Sequence, residues 1–350
     1  MSGSAATRTL LEAEITPGMS VGDVVALARL AEEVGFDRLG ISDVVLWHDC
    51  FVLLALVARE TSRIALGPMV TNPYSRHPAV LAAAAASLHE ASGGRAFLGL
   101  GVGAGLESVG LATPRPVATL RETVALLRGL WNGETVSIDG STVRARDARL
   151  QGGPAAVPIS IGTRSPQIMR LAGEVADSAL VGGRYLSPSL AGEYRSWIAE
   201  GERRAGRPQG STEVAPRVTL CVSSDGDRAR RSVKRYVAHY VTLIRPEELG
   251  FDESWYRRID AALARSTGWY FDHDRHDDPE IDRLVPDELV PRFAIAGTPE
   301  ECRELARGVL ALGFRSISMN LAFPVGAGMR RGLEETLSGF GEVIDAVRHD

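Results

Sequence analysis

The sequence predicts a (β/α)₈ barrel, and three observations support this fold class. Short apolar runs alternate with longer segments of helical periodicity along 350 residues, a length that suits one large barrel. Most of the apolar runs are followed by a helical segment, which favours a parallel sheet. The segments Gly35–Ser42 and Gly313–Asn320 both begin with glycine and phenylalanine and continue into a predicted strand. This pattern is expected where a helix ends and a strand begins.

The elements follow from these patterns in chain order. Apolar residues at helical spacing from Val21 to Ala31 predict the first helix, and those from Leu333 to Val347 predict the last. Residues 135–146 predict a small hairpin after the fourth helix, and residues 243–291 predict a longer, lid-like insertion. We expect a single barrel domain over residues 1–350. The predicted strands are Leu11–Ile15, Arg38–Ser42, Ile64–Val70, Ala96–Val102, Ile159–Ile161, Ser178–Val181, Arg217–Val222 and Ser316–Asn320.

The composition excludes several classes of protein. Hydrophobic residues make up 45% and charged residues 24%, which argues against a disordered or fibrous chain. A net charge of −5 argues against a nucleic-acid partner. No apolar run is long enough to cross a membrane and no signal core precedes the first strand, so we expect a cytoplasmic protein. The three cysteines are scattered and imply neither a disulfide framework nor a zinc cluster.

The segment Phe51–Ala58 is apolar on every face yet has the pattern of a helix. A barrel helix that faces water should carry a polar stripe, so we expect this one to be covered on both sides. Residues Ala82–Ala86 on the next helix would let another backbone approach closely. The two segments together predict a homodimer, and burial under a terminal segment is the alternative.

Barrel active sites lie at the carboxyl ends of the strands, so the residues after each strand are the candidates for chemistry. Thr163, Arg164 and Ser165 directly precede a helix, and a helix N-terminus beside an arginine suits an anion, although an ordinary capped turn has the same pattern. The loop Gly99–Gly105 either makes a tight turn or lets a flat ligand or a phosphate come close. Gly182 follows the sixth strand and is a further candidate for contact with a ligand.

Other chemistries have weaker support. Only His48 and His77 follow barrel strands among the histidines, so no metal site is expected there. The acidic and histidine-rich run 272–278 lies in the long insertion, where a solvated loop is the simpler interpretation and a metal site the alternative. Lys234, the only lysine, lies in an arginine-rich run that predicts a solvated helix face, which argues against Schiff-base catalysis.

Several blocks of sequence together cover most of the chain and carry a resemblance to a known family. They are Gly35–Asp43, Arg63–Tyr74, Val70–Gly103, Pro158–Gly183 and Phe293–Ala306. In these blocks the chain resembles the luciferase-like monooxygenase superfamily, in particular the branch that contains methylenetetrahydromethanopterin reductase. The resemblance implies a (β/α)₈ barrel that holds the deazaflavin coenzyme F420, or alternatively FMN, with the ring at the carboxyl end of the barrel. It also implies a dimer built on the early helices.

The resemblance also assigns roles to individual positions. Met69 and Val70 match the family's bulge, where a non-prolyl cis peptide bond backs the ring, and Thr71 and Asn72 flank it. Asp43 matches the acidic residue near the polar edge of the ring. The positions implied beside the cofactor tail are Gly101, Val102 and Gly103, and those of the phosphate-binding turn are Thr163, Arg164 and Ser165.

Two departures from the family pattern affect proton transfer. Val44 stands where many relatives have a histidine, and Ala104 stands where many deazaflavin enzymes have an acid. His48 and Asp49 are the nearest candidates for a relocated acid, with Asp43 as the third candidate catalytic residue, and a structural role is the alternative for His48 and Asp49.

We therefore expect an oxidoreductase that exchanges hydride between reduced F420 and a small organic substrate bound under the insertion 243–291. An FMN-dependent monooxygenase on the same barrel is one alternative. A barrel that binds a ligand without catalysis is the other, suggested by Val44 and Ala104.

Overall fold

The computed structural model describes residues 8–182, 186–265 and 278–349. Within these ranges, parallel strands form an eight-stranded barrel in which each strand pairs with its neighbours in chain order. The ring closes between β3 and β4 through parallel bridges that join Leu66 to Ala96 and Thr71 to Leu100. The barrel strands are β1 (Leu10–Ile15), β2 (Arg38–Ile41), β3 (Ala65–Pro68), β4 (Leu98–Leu100), β7 (Ile159–Thr163), β8 (Ser178–Val181), β9 (Glu213–Val222) and β11 (Ser316–Leu321).

These strands confirm the barrel and all eight of the predicted strands. Helices surround the barrel and bury their apolar faces against it; α1, for example, buries Val24, Leu27, Ala28 and Ala31. The helices are α1 (Val21–Glu33), α2 (Cys50–Glu60), α3 (Pro78–Ala91), α4 (Pro116–Trp131), α5 (Pro166–Val175), α6 (Pro188–Arg204), α7 (Gly226–Ile244), α8 (Glu253–Ala264), α9 (Pro279–Leu284), α10 (Pro299–Ala311), α11 (Met329–Gly341) and α12 (Ile344–His349). Among the described helices, none has the length and apolar content needed to cross a membrane.

The predicted hairpin is present as antiparallel strands β5 (Val136–Asp139) and β6 (Arg144–Ala148). Its turn is held by the carboxylate of Glu122 on α4, which accepts backbone N–H bonds from Ser141, Thr142 and Val143 at 2.8–3.0 Å. Slight burial would raise the pKa of Glu122, but these hydrogen bonds and that of the Ser141 hydroxyl lower it to about 2. The hairpin is therefore fixed to the barrel by an ionised side chain.

The long insertion contains α8 and α9, and strand β10 (Ala294–Gly297) follows it and pairs with β9. Its apolar residues pack on α7, and the rings of Phe251 and Trp255 stack with centroids 3.8 Å apart. The prediction of a solvated Lys234 is wrong: its side chain is 8% exposed, and its Nζ lies 2.9 Å from Asp282 and 2.7 Å from Asp287. Of the run 272–278, residues 272–277 lie outside the described residues, and Asp278 caps α9.

The interior of the barrel is charged. The carboxylate of Glu14 on β1 is fully buried and accepts hydrogen bonds from Arg217 Nε and from the Ser42 hydroxyl, each at 2.7 Å. Arg38 on β2 donates two hydrogen bonds to Glu213 on β9, at 2.7 and 2.9 Å. These pairs connect β1 and β2 to β9 through the barrel interior, although neither strand is a neighbour of β9 in the ring.

Glu12 is the third carboxyl group of this interior, and Arg38 is its charged neighbour of opposite sign. Burial raises its pKa to about 7, although the Ser318 hydroxyl and the charge of Arg38 lower it. Protonation of Glu12 leaves two carboxylates to balance Arg38 and Arg217 inside the barrel.

Candidate functional site

A cavity of about 920 Å³ opens where the barrel strands reach their carboxyl ends. Its volume is within the range of small-molecule sites, which is roughly 300–1,000 Å³. Most of its wall is built from the residues that follow the strands, as expected for a barrel. The strand-end residues that line it are Thr16, Ser42, Asp43, Val44, Met69, Val70, Gly101, Val102, Gly103, Ala104, Gly105, Gly162, Thr163, Arg164, Ser165, Gly182 and Asn320.

Val70 forms a flat part of this wall together with two glycines. The Met69–Val70 peptide bond is cis, as the family resemblance implied. A Cβ atom on Gly101 would lie 2.6 Å from Val70 Cγ2, and one on Gly162 would lie 2.9 Å from Val70 Cγ1. Because real Cβ atoms do not approach that closely, the Val70 side chain requires glycine at the ends of both β4 and β7.

Asp43 is the acidic group at the end of β2, and its side chain is only 8% exposed. Its Oδ2 accepts hydrogen bonds from the Thr71 hydroxyl at 2.6 Å and from Arg76 at 2.5 Å. The other arm of the Arg76 guanidinium donates to Asp49 at 2.6 Å. Burial alone would lower the pKa of Arg76, but the charges of Asp43 and Asp49 raise it, so the group bridges both carboxylates as a cation.

Asp49 also begins α2: its carboxylate accepts the N–H groups of Phe51 and Val52 at 2.9 and 3.1 Å. Partial burial would raise the pKa of Asp49, but the hydrogen bonds from Arg76 and from these amides hold it below its usual value. An acid with a lowered pKa is a poor proton donor at neutral pH. Its observed contacts are those of a helix cap and an ion-pair partner.

The turn Thr163–Ser165 presents donors to the cavity. The Ser165 N–H bonds to the Thr163 hydroxyl at 2.9 Å, and Arg164 is exposed beside them. Ser165 is the N-cap residue of α5, and among the described residues no side chain caps the first turn of this helix. The end of α5 therefore combines unpaired backbone N–H groups, the positive end of the helix dipole and a guanidinium, which together suit an anion.

The remaining predicted residues lie elsewhere. Thr71 and Asn72 are buried and not part of the lining; Asn72 accepts the N–H groups of Tyr74 and Ser75 and so shapes the loop after β3. His48 is exposed and, like Asp49, does not line the cavity. Their predicted catalytic roles stay predictions.

Sequence reasoning missed a second group of lining residues. Glu107 follows Ala104 by three positions, and Arg217 lies inside the seventh barrel strand. The others come from α7 and α8, where a search confined to strand ends does not look. For the α7 residues, the sequence did contain one indication: Arg235, His239 and Leu243 are spaced by four, so they lie on one face of a helix. The lining residues from these helices are Arg235, His239, Tyr240, Leu243 and Leu263.

Comparison with known proteins places these features in context. Residues 2–316 match the family model described as luciferase-like monooxygenase. The chain is 32% identical over 311 residues to 5,10-methylenetetrahydromethanopterin reductase of Methanolobus tindarius, covering 87% of this chain and 91% of the relative. It is 31% identical to the F420-dependent glucose-6-phosphate dehydrogenase of Nakamurella multipartita, covering 84% and 85%.

A solved structure agrees with these matches. The coenzyme F420-dependent tetrahydromethanopterin reductase from Methanopyrus kandleri superimposes with a TM-score of 0.79 at 25% identity, covering 95% of this chain and 98% of that one. The chain therefore shares its overall fold with that reductase over nearly its whole length.

Proposed function

Because this chain belongs to the luciferase-like monooxygenase family, we propose that it is an oxidoreductase that transfers hydride between coenzyme F420 and a small organic substrate. The three relatives reported above match over most of the chain and are named for F420-dependent reactions or as methylenetetrahydromethanopterin reductases. The cofactor, when bound, supplies or accepts the hydride, and the protein supplies binding, orientation and charge.

The observation that carries this proposal is the pairing of a flat wall with an anion-binding turn in one cavity. Val70, seated against Gly101 and Gly162, offers a smooth apolar surface that fits one face of a planar ring. The turn Thr163–Ser165 offers donors for an anionic tail. A cofactor that joins a planar ring to a phosphate-bearing tail matches both surfaces.

The individual roles follow from these positions. Met69 and Val70 would back the ring, and Gly101, Val102 and Gly103 would let the tail pass close to the backbone. Arg164 and the first amides of α5 would bind the tail's negative charge. Asp43, held by Thr71 and Arg76, would accept a hydrogen bond from the polar edge of the ring. Gly182 would border the same site.

Proton transfer needs a different assignment from the family pattern, since Val44 and Ala104 do not ionise. Glu107 and His239 are ionisable side chains that line the cavity. We favour His239, because an imidazole has an ordinary pKa of about 6.5 and can both donate and accept a proton at neutral pH. His48, predicted from the sequence, is the competing residue.

Two alternatives keep specific support. The family model is that of monooxygenases, so an FMN-dependent monooxygenation in the same cavity is the second candidate. The loss of ionisable groups at Val44 and Ala104 favours a barrel that binds its ligand without catalysis.

Titration of the purified protein with F420 and with FMN separates these candidates. We expect saturable binding of F420, followed by the change in F420 absorbance or fluorescence. Tight binding of FMN without binding of F420 would overturn the proposal in favour of the monooxygenase. Binding of F420 without turnover on any of a panel of alcohols, aldehydes, sugar phosphates and imines would favour the non-catalytic barrel.

We also propose a homodimer built on α2 and α3. Helix α2 buries Leu53, Leu54 and Val57, but Val52 and Leu56 are 59% and 42% exposed in the single chain, and Val80 on α3 is 57% exposed. Grouped exposed apolar side chains are typical of an interface. Light scattering should give a dimer for the wild type and a monomer for a Val52→Glu, Leu56→Glu variant.

A cytoplasmic location fits the three free thiols, all of them buried.

A further inference from the structure

The wall of the cavity divides into two arcs. The ring and tail positions proposed above lie on β2, β3, β4, β7 and β8 and the loops that follow them. The rest of the ring, formed by β9, β11 and β1, is joined by side chains from α7 and α8. We call this second part the arginine arc; its lining residues are Thr16, Arg217, Arg235, His239, Tyr240, Leu243, Leu263 and Asn320.

One face of α7 forms the outer part of the arginine arc. Arg235, His239 and Leu243 are spaced by four residues and therefore project from the same side of the helix. Burial falls along this face: Arg235 is 2% exposed, His239 is half-buried and Leu243 is 48% exposed. The face thus runs from an entrance at Leu243 to a guanidinium at its inner end.

Arg217 supplies a second guanidinium from the barrel itself. It is held by the buried carboxylate of Glu14, which is fixed in turn by the Ser42 hydroxyl. The Arg217 side chain is 24% exposed and lines the cavity, so part of the group still faces a ligand. A guanidinium that is already held in place loses little side-chain entropy when it donates to an anion.

The charges of the two arcs differ. Of the described residues that line the arginine arc, none is acidic, whereas two are arginines that stay protonated at any working pH. The acidic lining residues are Asp43 and Glu107, which lie in the segments that follow β2 and β4. Tyr240 and Asn320 add neutral hydrogen-bonding groups to the arginine arc. This composition fits an oxyanion that is flanked by polar groups.

We propose that the arginine arc binds the substrate and selects a small molecule that carries a carboxylate or phosphate group, with Arg235 as the main determinant of this specificity. The substrate class rests on the proposed function, because that function assigns the other arc to the cofactor. Arg235 would hold the anion at the inner end of the α7 face, and Arg217 would contribute a second donor. The reacting part of the substrate would then lie toward Val70 and the ring.

Calorimetric titration of the purified protein with inorganic phosphate and with succinate tests this site directly. We expect saturable binding of at least one of these anions at low ionic strength. Arg235→Met should weaken it by about ten- to a hundredfold, the effect of losing a charge-assisted pair. Arg231→Met is the matched control, because Arg231 lies exposed on the same helix and does not line the cavity; it should leave binding unchanged. The anion that binds more tightly identifies the headgroup.

Arg235 is buried, so a second variant guards against misfolding. Arg235→Lys keeps the charge but not the fork of donors, and it should bind with an affinity between those of the wild type and Arg235→Met. Thermal unfolding of each variant reports whether the fold is kept. An affinity of Arg235→Lys equal to that of the wild type, together with normal binding by Arg235→Met, would overturn the proposal.

Arg164→Ala separates the two anion sites of the cavity. If the probe anion binds in the arginine arc, Arg164→Ala should leave its affinity unchanged and weaken only F420. Loss of anion binding in Arg164→Ala but not in Arg235→Met would assign the anion to the turn at α5 and overturn the proposal. Anion binding that depends on Arg235 in a protein that does not bind F420 would support the arginine arc and refute the proposed cofactor. F420 binding without binding of either anion would support the proposed cofactor and refute the arginine arc.

Discussion

Arg76 donates to Asp43 across 2.5 Å, and so joins the loop after β3 to the end of β2 at the edge of the cavity. The same guanidinium reaches Asp49, the residue that caps α2. One side chain therefore fixes an acidic cavity residue and the start of a neighbouring helix together. The Arg76 cation also offsets the cost of placing the Asp43 carboxylate in a largely buried position.

We expect Arg76→Met to lower the free energy of unfolding by about 2–4 kcal/mol, since it leaves the buried Asp43 carboxylate without its cation. Urea unfolding at pH 7 measures the change. Arg144→Met is the control: Arg144 and Asp139 are 79% and 90% exposed, so that variant should change stability by less than about 1 kcal/mol. Equal effects of the two substitutions would show that the Arg76 bridge contributes no more than a surface pair.

Glu12 predicts a dependence of stability on pH. Its folded-state pKa of about 7 lies above its ordinary value, so the folded protein keeps a proton that the unfolded chain releases. The resulting penalty is absent below about pH 4.5, grows as the pH rises and is complete above about pH 7, where it reaches roughly 3 kcal/mol. Glu12→Gln should remove it and gain stability relative to wild type between pH 5 and pH 8, as measured by urea unfolding.

The exposed Glu60 on α2 provides the control for that measurement. Glu60→Gln should follow the wild-type curve across the whole interval. A Glu12→Gln protein whose stability runs parallel to that of the wild type would mean that Glu12 is already ionised inside the barrel.

Arg164→Ala should weaken cofactor binding by about 1.5–3 kcal/mol, the contribution of a charge-assisted hydrogen bond to the tail. Arg164 is exposed, so the difference should shrink as salt is added. A fluorescence titration of F420 at two ionic strengths measures both effects. An unchanged affinity for F420 at low salt would show that Arg164 is a surface residue that does not contact the cofactor.

His239 and His48 make opposite predictions for the pH dependence of turnover. His239 lines the cavity, so His239→Gln should lower turnover by about two orders of magnitude and flatten the pH profile of turnover. His48 is exposed outside the lining, so His48→Gln should leave both unchanged. F420 affinity should be nearly the same in both variants, which separates proton transfer from binding. The reverse pattern would restore the assignment to His48.

The strands were predictable because they are short apolar runs, and two of them, β2 and β11, follow a glycine that ends a helix, Gly35 and Gly313. Strand β9 starts at Glu213 and not at the predicted Arg217, since Pro216 and the polar residues before it hide the pattern. Strand β10 was missed for a related reason: it is only four residues long and pairs with β9 alone.

The lining of the cavity was predictable in part, because it depends on where the strands end. Residues such as Asp43 and Arg164 follow strands, and the carboxyl ends of parallel strands meet at one end of a barrel. Arg235 and His239 were not predictable, because whether a helix face reaches the barrel mouth depends on how α7 packs against the insertion. The partner of Asp43 was also hidden, since Arg76 lies 33 positions further along the chain.

Lys234 has a practical consequence. It is the only lysine, and its ammonium lies between Asp282 and Asp287 of the insertion. Burial would lower its pKa, but both aspartates raise it, so the amine is protonated as well as shielded. An acylating reagent can reach this nitrogen only when the insertion separates from α7. The rate of side-chain acylation therefore measures how often that contact opens. Lys234 would thus report separation of the insertion from α7 at its natural position, with no competing lysine to mask the signal.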